Sequence, residues 1–384
     1  MTYCKKCVYP NTKPDLKLNK DDICSACICY NKRDSIDWNE RKKEFIKIMD
    51  ENKSKDGTNY DCIIPCSGGK DSTYQVWRVL ELGYNPLVVF ITTCEFSELG
   101  RKNIENIKDK FDVDVIEVCT NRKIRYKLNK YCLETLGDIQ WPEHIGIFTI
   151  PFHIAVKYMI KLLIWGECPQ NEYGAIGQLG GSDNVLDRRW MEEFGGLNGF
   201  RISDAEIILD LPKNKILPFI YPEDEDIKKL GVKGIFLGYY FPWDEYSNYV
   251  VSLAKGFTCF ENTCENSIVN YVGLDSYHVG IHDYFKYLKF GFSRASDHLA
   301  MYVRRGVIDR DVAVSLVKSN DGLYPKSYLG KDLNEILKRI GVTIDEFNII
   351  CNNFTNTELF EYDNDTQDFV RRHDGSPKLK TIIS

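Results

Sequence analysis

The chain has 384 residues, 43% of them hydrophobic and 28% charged, which is the composition of an ordinary folded protein and more length than one domain usually needs. A formal net charge of −6 argues against a broad non-specific nucleic-acid surface, and no apolar run approaches the ~20 residues of a membrane helix. The opening Met1-Thr2-Tyr3-Cys4-Lys5-Lys6-Cys7 lacks the apolar centre of a secretory leader, so a cytoplasmic location is the default. Fourteen cysteines in such a chain point to metal or packing and away from disulfides.

Cys4 and Cys7 form one C-x-x-C pair and Cys24 and Cys27 a second, with sixteen residues between them. Thiolates at this spacing suit one tetrahedral Zn²⁺. The insert holds Pro10, Asn11, Pro14, Asn19, Asp21 and Asp22 and is too short and polar for a core of its own. Metal would therefore supply much of its folding free energy. The competing reading is four reduced, buried cysteines. Residues 35–55 read as a charged surface helix with apolar positions at Phe45, Ile46 and Met49.

Tyr60-Asp61-Cys62-Ile63-Ile64 reads as a buried strand. Pro65-Cys66-Ser67-Gly68-Gly69-Lys70-Asp71-Ser72 follows it, and then a helical pattern with Val76, Trp77, Val79 and Leu80 on one side and Gly83 at the stop. The glycines thus lie on a strand-to-helix turn, where the first amides of a helix lack partners and face incoming anions. Gly68 and Gly69 let the backbone approach a phosphate, Ser67 and Ser72 offer hydroxyls, and Lys70 brings positive charge. Asp71 is an acid in a phosphate cradle, which Mg²⁺ would reconcile. Only three residues separate Gly68 from Ser72, so this is not the G-x-x-x-x-G-K-[ST] loop.

Residues 86–93 give a second buried strand, Ser97 is placed to cap a helix carrying Ile104, Ile107 and Phe111, and residues 113–119 give a third strand. Repeated strand–helix units imply a parallel sheet covered on both faces, with ligands beyond the carboxyl ends of its strands. Thr92 stands at that end of the second strand, where an adenine would lie. Residues 145–159 suggest a buried helix that Pro151 starts or breaks. A fourth strand, residues 161–167, ends in Glu167 at the ligand edge. Gly180-Gly181-Ser182-Asp183, Trp190 and Tyr239-Tyr240-Phe241-Pro242-Trp243 suit a sugar-binding wall and a packed connector equally. From about residue 278 the pattern is helical, and Arg294 and Asp297, three apart, could share a face. His278, His282 and His298 read more readily as structural than catalytic.

The hexapeptide Ser67-Gly68-Gly69-Lys70-Asp71-Ser72 resembles the SGGxDS signature of the PP-loop ATP pyrophosphatases, which adenylate a carbonyl oxygen and release pyrophosphate. Together with the cysteine pairs, the stretch GDIQWPEHIGIF from Gly137, the strand LLIWGE from Leu162 and Gly291-Phe292-Ser293-Arg294-Ala295-Ser296-Asp297, it looks like the N-acetyl sugar amidotransferases of surface-polysaccharide and nonulosonic-acid pathways. The resemblance runs from about residue 4 to about residue 320, and departs in reading Ser296 where Thr is the expected form.

The resemblance implies an α/β fold, with a parallel-sheet PP-loop domain over residues 36–250, a zinc module over 1–35 and a helical region over 251–384 completing the substrate site. It also implies ATP as co-substrate, with Ser67, Gly68, Gly69 and Ser72 on the phosphates, Lys70 on the leaving pyrophosphate, Asp71 on Mg²⁺, and Arg294, Asp297 and Glu167 completing the site. The substrate would be an N-acetyl sugar, free or nucleotide-linked. Ammonia would come from separate glutaminase and cyclase-like channel subunits, since the chain shows no glutaminase arrangement of its own. The rival reading is a tRNA thiolase of the same loop class. Such enzymes commonly place a C-x-x-C after the loop and present a basic face, and this chain has neither signal after Cys29.

Overall fold

The computed structural model describes residues 1–93, 95–167, 185–186, 197 and 199–384. Its centre is a six-stranded sheet built from β1 (Cys62–Cys66), β2 (Pro86–Ile91), β3 (Asp114–Val118), β4 (Leu162–Trp165), β5 (Val185–Leu186) and β6 (Lys233–Phe236) in the order β3-β2-β1-β4-β6-β5. Five strands run parallel, and β5 pairs antiparallel with β6 at one edge. From β1 the chain winds outward through β2 and β3, then returns to lay β4 on the other side of β1, with Ile63 opposite Leu163. Strand order therefore reverses between β1 and β4, and a crevice opens beyond their carboxyl ends.

Side chains alternate between the two faces of the sheet, and each face buries its own core. Ile63, Leu87, Val89 and Leu163 pack with Ile145, Phe152 and Ala155 of the helix Trp141–Tyr158. Cys62, Ile64, Val88, Phe90, Leu162 and Ile164 face the other way. They meet Val76 and Val79 of the helix Lys70–Glu81, Ile104 and Ile107 of Glu98–Lys110, and Phe45 and Met49 of Trp38–Asn52. The last helix is thus bound into the core along one stripe. Ser97 caps Glu98–Lys110 as its position predicts, its hydroxyl accepting from the Gly100 amide at 2.8 Å.

Pro151 departs from expectation. It lies inside Trp141–Tyr158, which begins ten residues before it and runs on past it. Proline removes the hydrogen bond to the carbonyl four residues back, here that of Ile147, and the helix tolerates the loss without ending.

The N-terminal module rests on the C-terminal helices. The four paired cysteines, Val8 and Tyr9 form one core with Phe292, with Ala295 and Leu299 of Arg294–Arg304, and with Ala313, Val314 and Val317 of Arg310–Asn320. Arg310 donates to the carbonyls of Cys7 at 3.2 Å and Cys4 at 3.4 Å. Ahead of Arg294, a buried Asp321 carboxylate accepts from the hydroxyls of Ser293 at 2.9 Å and Ser296 at 2.6 Å. Position 296 thus uses the hydroxyl that serine and threonine share.

Candidate active site

The turn after β1 is shaped by two glycines. Gly68 has φ +81°, and a Cβ there would sit 2.9 Å from Ile104 Cγ1, so both backbone and packing require glycine. Gly69, extended at φ −73° and ψ 170°, caps the helix Lys70–Glu81. The hydroxyls of Ser72 and Thr73 both donate to the Gly69 carbonyl at 3.0 Å, which leaves the first amides of the helix for an anion.

Lys70 is 5% exposed, and its ammonium pairs with Asp71 Oδ2 at 2.6 Å. Asp71 Oδ1 accepts from Asn248 at 3.0 Å, and the Lys70 carbonyl accepts from Ser252 at 2.6 Å. Both partners lie on the helix Glu245–Ala254, which clamps the loop. Burial alone would lower the Lys70 pKa; the carboxylates of Asp71, Glu245 and Glu167 outweigh it and hold the value above that of an ordinary lysine.

One pocket collects Ser67, Gly69, Lys70 and Asp71 from the loop, Glu167 from beyond β4, and Arg294 from the C-terminal region. Arg294 is held by a two-bonded pair with the buried Asp283, Nε to Oδ2 at 2.5 Å and Nη2 to Oδ1 at 2.9 Å. Burial opposes the guanidinium charge, and Asp283 more than offsets it, so the pKa rises and the charge is permanent. Gly166 lets Trp243 into the wall, since a Cβ there would meet the indole at 2.9 Å.

The remaining expected site residues lie off the lining. Gly68 and Ser72 shape the turn from behind. Thr92 is buried, its hydroxyl donating to the Val118 carbonyl at 3.2 Å. Asp297 stands one turn from Arg294, and both pair with the helix Val279–Phe290, Arg294 with Asp283 and Asp297 with Lys286; Asp297 also accepts from Tyr9 at 3.0 Å, joining the cysteine module to its helix. Tyr240 and Phe241 pack on Phe45 as a connector, and of that aromatic run Trp243 lines the pocket. Gly180 to Asp183 and Trp190 lie outside the described residues.

Sequence reasoning missed Glu245, Tyr271, Asp275 and Arg305, and read His298 as structural; all five line the pocket. Glu245 and Trp243 follow β6, whose four residues include Gly234 and gave too short an apolar run to stand out. Seeing that strand would have put Glu245 at the ligand edge.

The cysteine cluster fits the expected metal. Cys4, Cys7, Cys24 and Cys27 are fully buried, and their sulfurs all lie within 4.8 Å of one another. Cys7 and Cys24 are 3.6 Å apart and Cys4 and Cys27 4.0 Å. Four sulfurs at the Zn–S bond length around a tetrahedral centre stand about 3.8 Å apart. The amides of Lys6, Cys7 and Cys24 point at Cys4 Sγ from 3.3–3.4 Å. Hydrogen bonds from Cys24, Cys27 and Cys7 pull the Cys4 thiol far below the usual cysteine range, toward the thiolate a metal binds.

The other histidines have visible structural settings. His282 Nδ1 lies 2.9 Å from Asp138 Oδ1. His278 is fully buried, and among the described residues neither ring nitrogen has a hydrogen-bond partner. Burial lowers its pKa to about 4 against the pull of Glu95, with Arg125 and Lys331 helping. Between about 4 and 6.5 the unfolded chain binds a proton here that the folded chain refuses, so stability falls as pH falls through that window. The cost reaches about 2 kcal/mol by pH 5. In His278→Leu, the loss of stability between pH 7 and pH 5, read from urea unfolding, should shrink by about that amount.

Among the described residues no helix is long and apolar enough to cross a membrane. An uncharacterized protein, MJ1599, of Methanocaldococcus jannaschii is 30% identical over 115 residues, 29% of this chain and 41% of that protein, so the chain spans about two fifths of that relative's length. Similar solved structures include a predicted subunit of tRNA methyltransferase from the same organism, at 14% identity and TM-score 0.28, covering 50% of this chain and 75% of that one. NMN synthetase from Francisella tularensis is similar at 15% and 0.29, covering 51% and 82%. NH3-dependent NAD synthetase from Campylobacter jejuni is similar at 12% and 0.29, covering 58% and 98%. The segment that brings Tyr271, Asp275, Arg294, His298 and Arg305 to the pocket lies within residues 254–373, and those residues match the family model described as LPS biosynthesis protein WbpG-like, C-terminal domain.

Proposed function

We propose that the chain is an ATP-dependent amidotransferase of lipopolysaccharide biosynthesis, converting the acetamido group of an N-acetyl sugar into an acetamidino group. One observation carries this: the phosphate loop and the WbpG-like segment face each other across one pocket. An amide oxygen is a poor leaving group. When it attacks the α-phosphorus of ATP, the bond to the β-phosphate breaks and pyrophosphate leaves. Ammonia then adds to the activated carbon, sheds a proton, and the C–O bond breaks as AMP departs with the oxygen.

The loop amides would hold the phosphates, and Lys70 and Arg294 would meet the charge that develops on pyrophosphate and AMP. Asp71 and Glu167 are the hard oxygen donors that Mg²⁺ takes, and the ion would screen the triphosphate. Ammonia would be delivered by a separate glutaminase through a cyclase-like channel subunit, or taken from solution.

The test is incubation with ATP, ammonium chloride and a panel of N-acetyl sugars. The expected result is AMP together with a product one mass unit lighter, and no turnover with glutamine alone. Release of ADP, or AMP formed without any lighter sugar, overturns the reading.

A further inference from the structure

On the wall facing Lys70, Glu245 and His298 form a pair that the loop chemistry does not use. Both line the pocket, yet they are only 8% and 3% exposed. Glu245 Oε1 is buried without a hydrogen-bond partner, an arrangement that costs stability unless something occupies it. His298 Nε2 lies 3.8 Å from that oxygen, too far for a hydrogen bond. Its Nδ1 lies 3.2 Å from Ser267 Oγ, which accepts from the Val269 amide at 3.2 Å; a ring that is to accept at Nε2 needs the tautomer in which Nδ1–H also donates to that oxygen, leaving Nε2 without a proton. The unpartnered oxygen and the ring nitrogen therefore stand together in the lining of the pocket that also holds Lys70.

We propose that Glu245 and His298 form the ammonium site of this enzyme, the carboxylate seating the nitrogen and the imidazole taking the proton it must shed. The inference rests on the amidotransferase reading above. Ammonium, the main form in neutral water, has no lone pair to offer. Transfer of one proton from its nitrogen to His298 Nε2 yields ammonia and imidazolium, and the freed pair forms the C–N bond to the adenylated carbon. Departure of AMP then reopens the site to solvent, which returns the ring to neutral.

The surroundings suit those roles. Glu245 faces His298, Lys70, Arg305 and Arg294, and these offset its burial and keep it ionised below the usual glutamate range. His298 faces Glu245, Arg294, Asp297 and Lys70, and burial lowers its pKa, so the ring is neutral and able to accept at neutral pH. The unfilled group is a carboxylate oxygen, which accepts only, so its occupant is a hydrogen-bond donor, as ammonium is.

The test compares wild type with Glu245→Gln and His298→Asn in two assays. Sugar-dependent exchange of labelled pyrophosphate into ATP reports activation alone, and ammonium-dependent product reports the whole reaction. Both variants should lose on the order of a hundredfold in kcat/KM for ammonium and far less in exchange, where Lys70 keeps Asp71 as its partner. Their residual rate at fixed total ammonium should climb with pH in proportion to free ammonia, whereas wild type is flatter. Hydroxylamine, largely unprotonated at neutral pH, should restore turnover, which also shows that the variants are folded. Intact exchange with unchanged ammonium dependence overturns the ammonium site while leaving the amidotransferase standing. Loss of exchange in both variants places the pair in activation or in folding, and overturns the site too. Wild type that shows no exchange with any N-acetyl sugar defeats the amidotransferase reading, and this inference with it.

Discussion

Replacing Lys70 by alanine should lower AMP formation by about a thousandfold while the protein stays folded. The ammonium is 5% exposed and stands where a strand meets a helix N-terminus, so its charge acts in a medium that water barely screens. Negative charge on the β-phosphate rises as the α–β bond breaks, and a fixed cation there stabilises that state more than the bound triphosphate. Lys70 also neutralises Asp71 at 2.6 Å, but Asp71 keeps Asn248 as a partner and its side chain is 34% exposed, so the variant loses little stability. Lys70→Arg should not rescue, because a planar guanidinium does not fit a space shaped to a single ammonium between Asp71 and Tyr271. The measurement is chromatographic AMP release alongside thermal unfolding. Undiminished AMP would move the site elsewhere.

Cys27→Ser should release the metal and destabilise the protein by on the order of 5 kcal/mol, since binding and folding are one process in so small a module. Elemental analysis should find one zinc per chain in wild type and none in the variant. The effect should not stay local. The cysteine core is shared with Ala295 and Leu299 on the helix Arg294–Arg304, and Tyr9 holds Asp297 on that same helix at 3.0 Å. Arg294 and His298 occupy its pocket side. A loosened module therefore frees Arg294, and nucleotide affinity should fall with zinc content in a chelator titration. Full ATP binding in the zinc-free variant would break this coupling.

The sheet and its phosphate turn were legible in sequence because their cues are local. A buried strand reads as an apolar run, a turn needing φ +81° demands glycine at Gly68, and an exposed helix amide wants an anion. The opposite wall was less legible: β6 is too short a run to have marked Glu245, and nothing within Arg305 records what stands across the cavity. Arg294 entered through family resemblance, and the same reasoning carried Asp297 with it. Three-residue spacing put the two on one face, and both do meet the helix Val279–Phe290, at Asp283 and Lys286; what the spacing could not show is that Arg294 reaches the pocket while Tyr9 ties Asp297 to the cysteine module. Those partners lie eleven residues and more away, beyond what a helical wheel can see.

The pocket's walls are contributed by Ser67 at one extreme and Arg305 at the other. During synthesis the α/β half emerges first, and domains fold as they emerge. At that moment Lys70 and the loop amides face water on one side, with neither Arg294 nor His298 yet made. On the proposed function, a nascent chain would have its phosphate loop before the residues that complete the pocket. Competence would then wait on the segment within residues 254–373 that supplies the opposite wall.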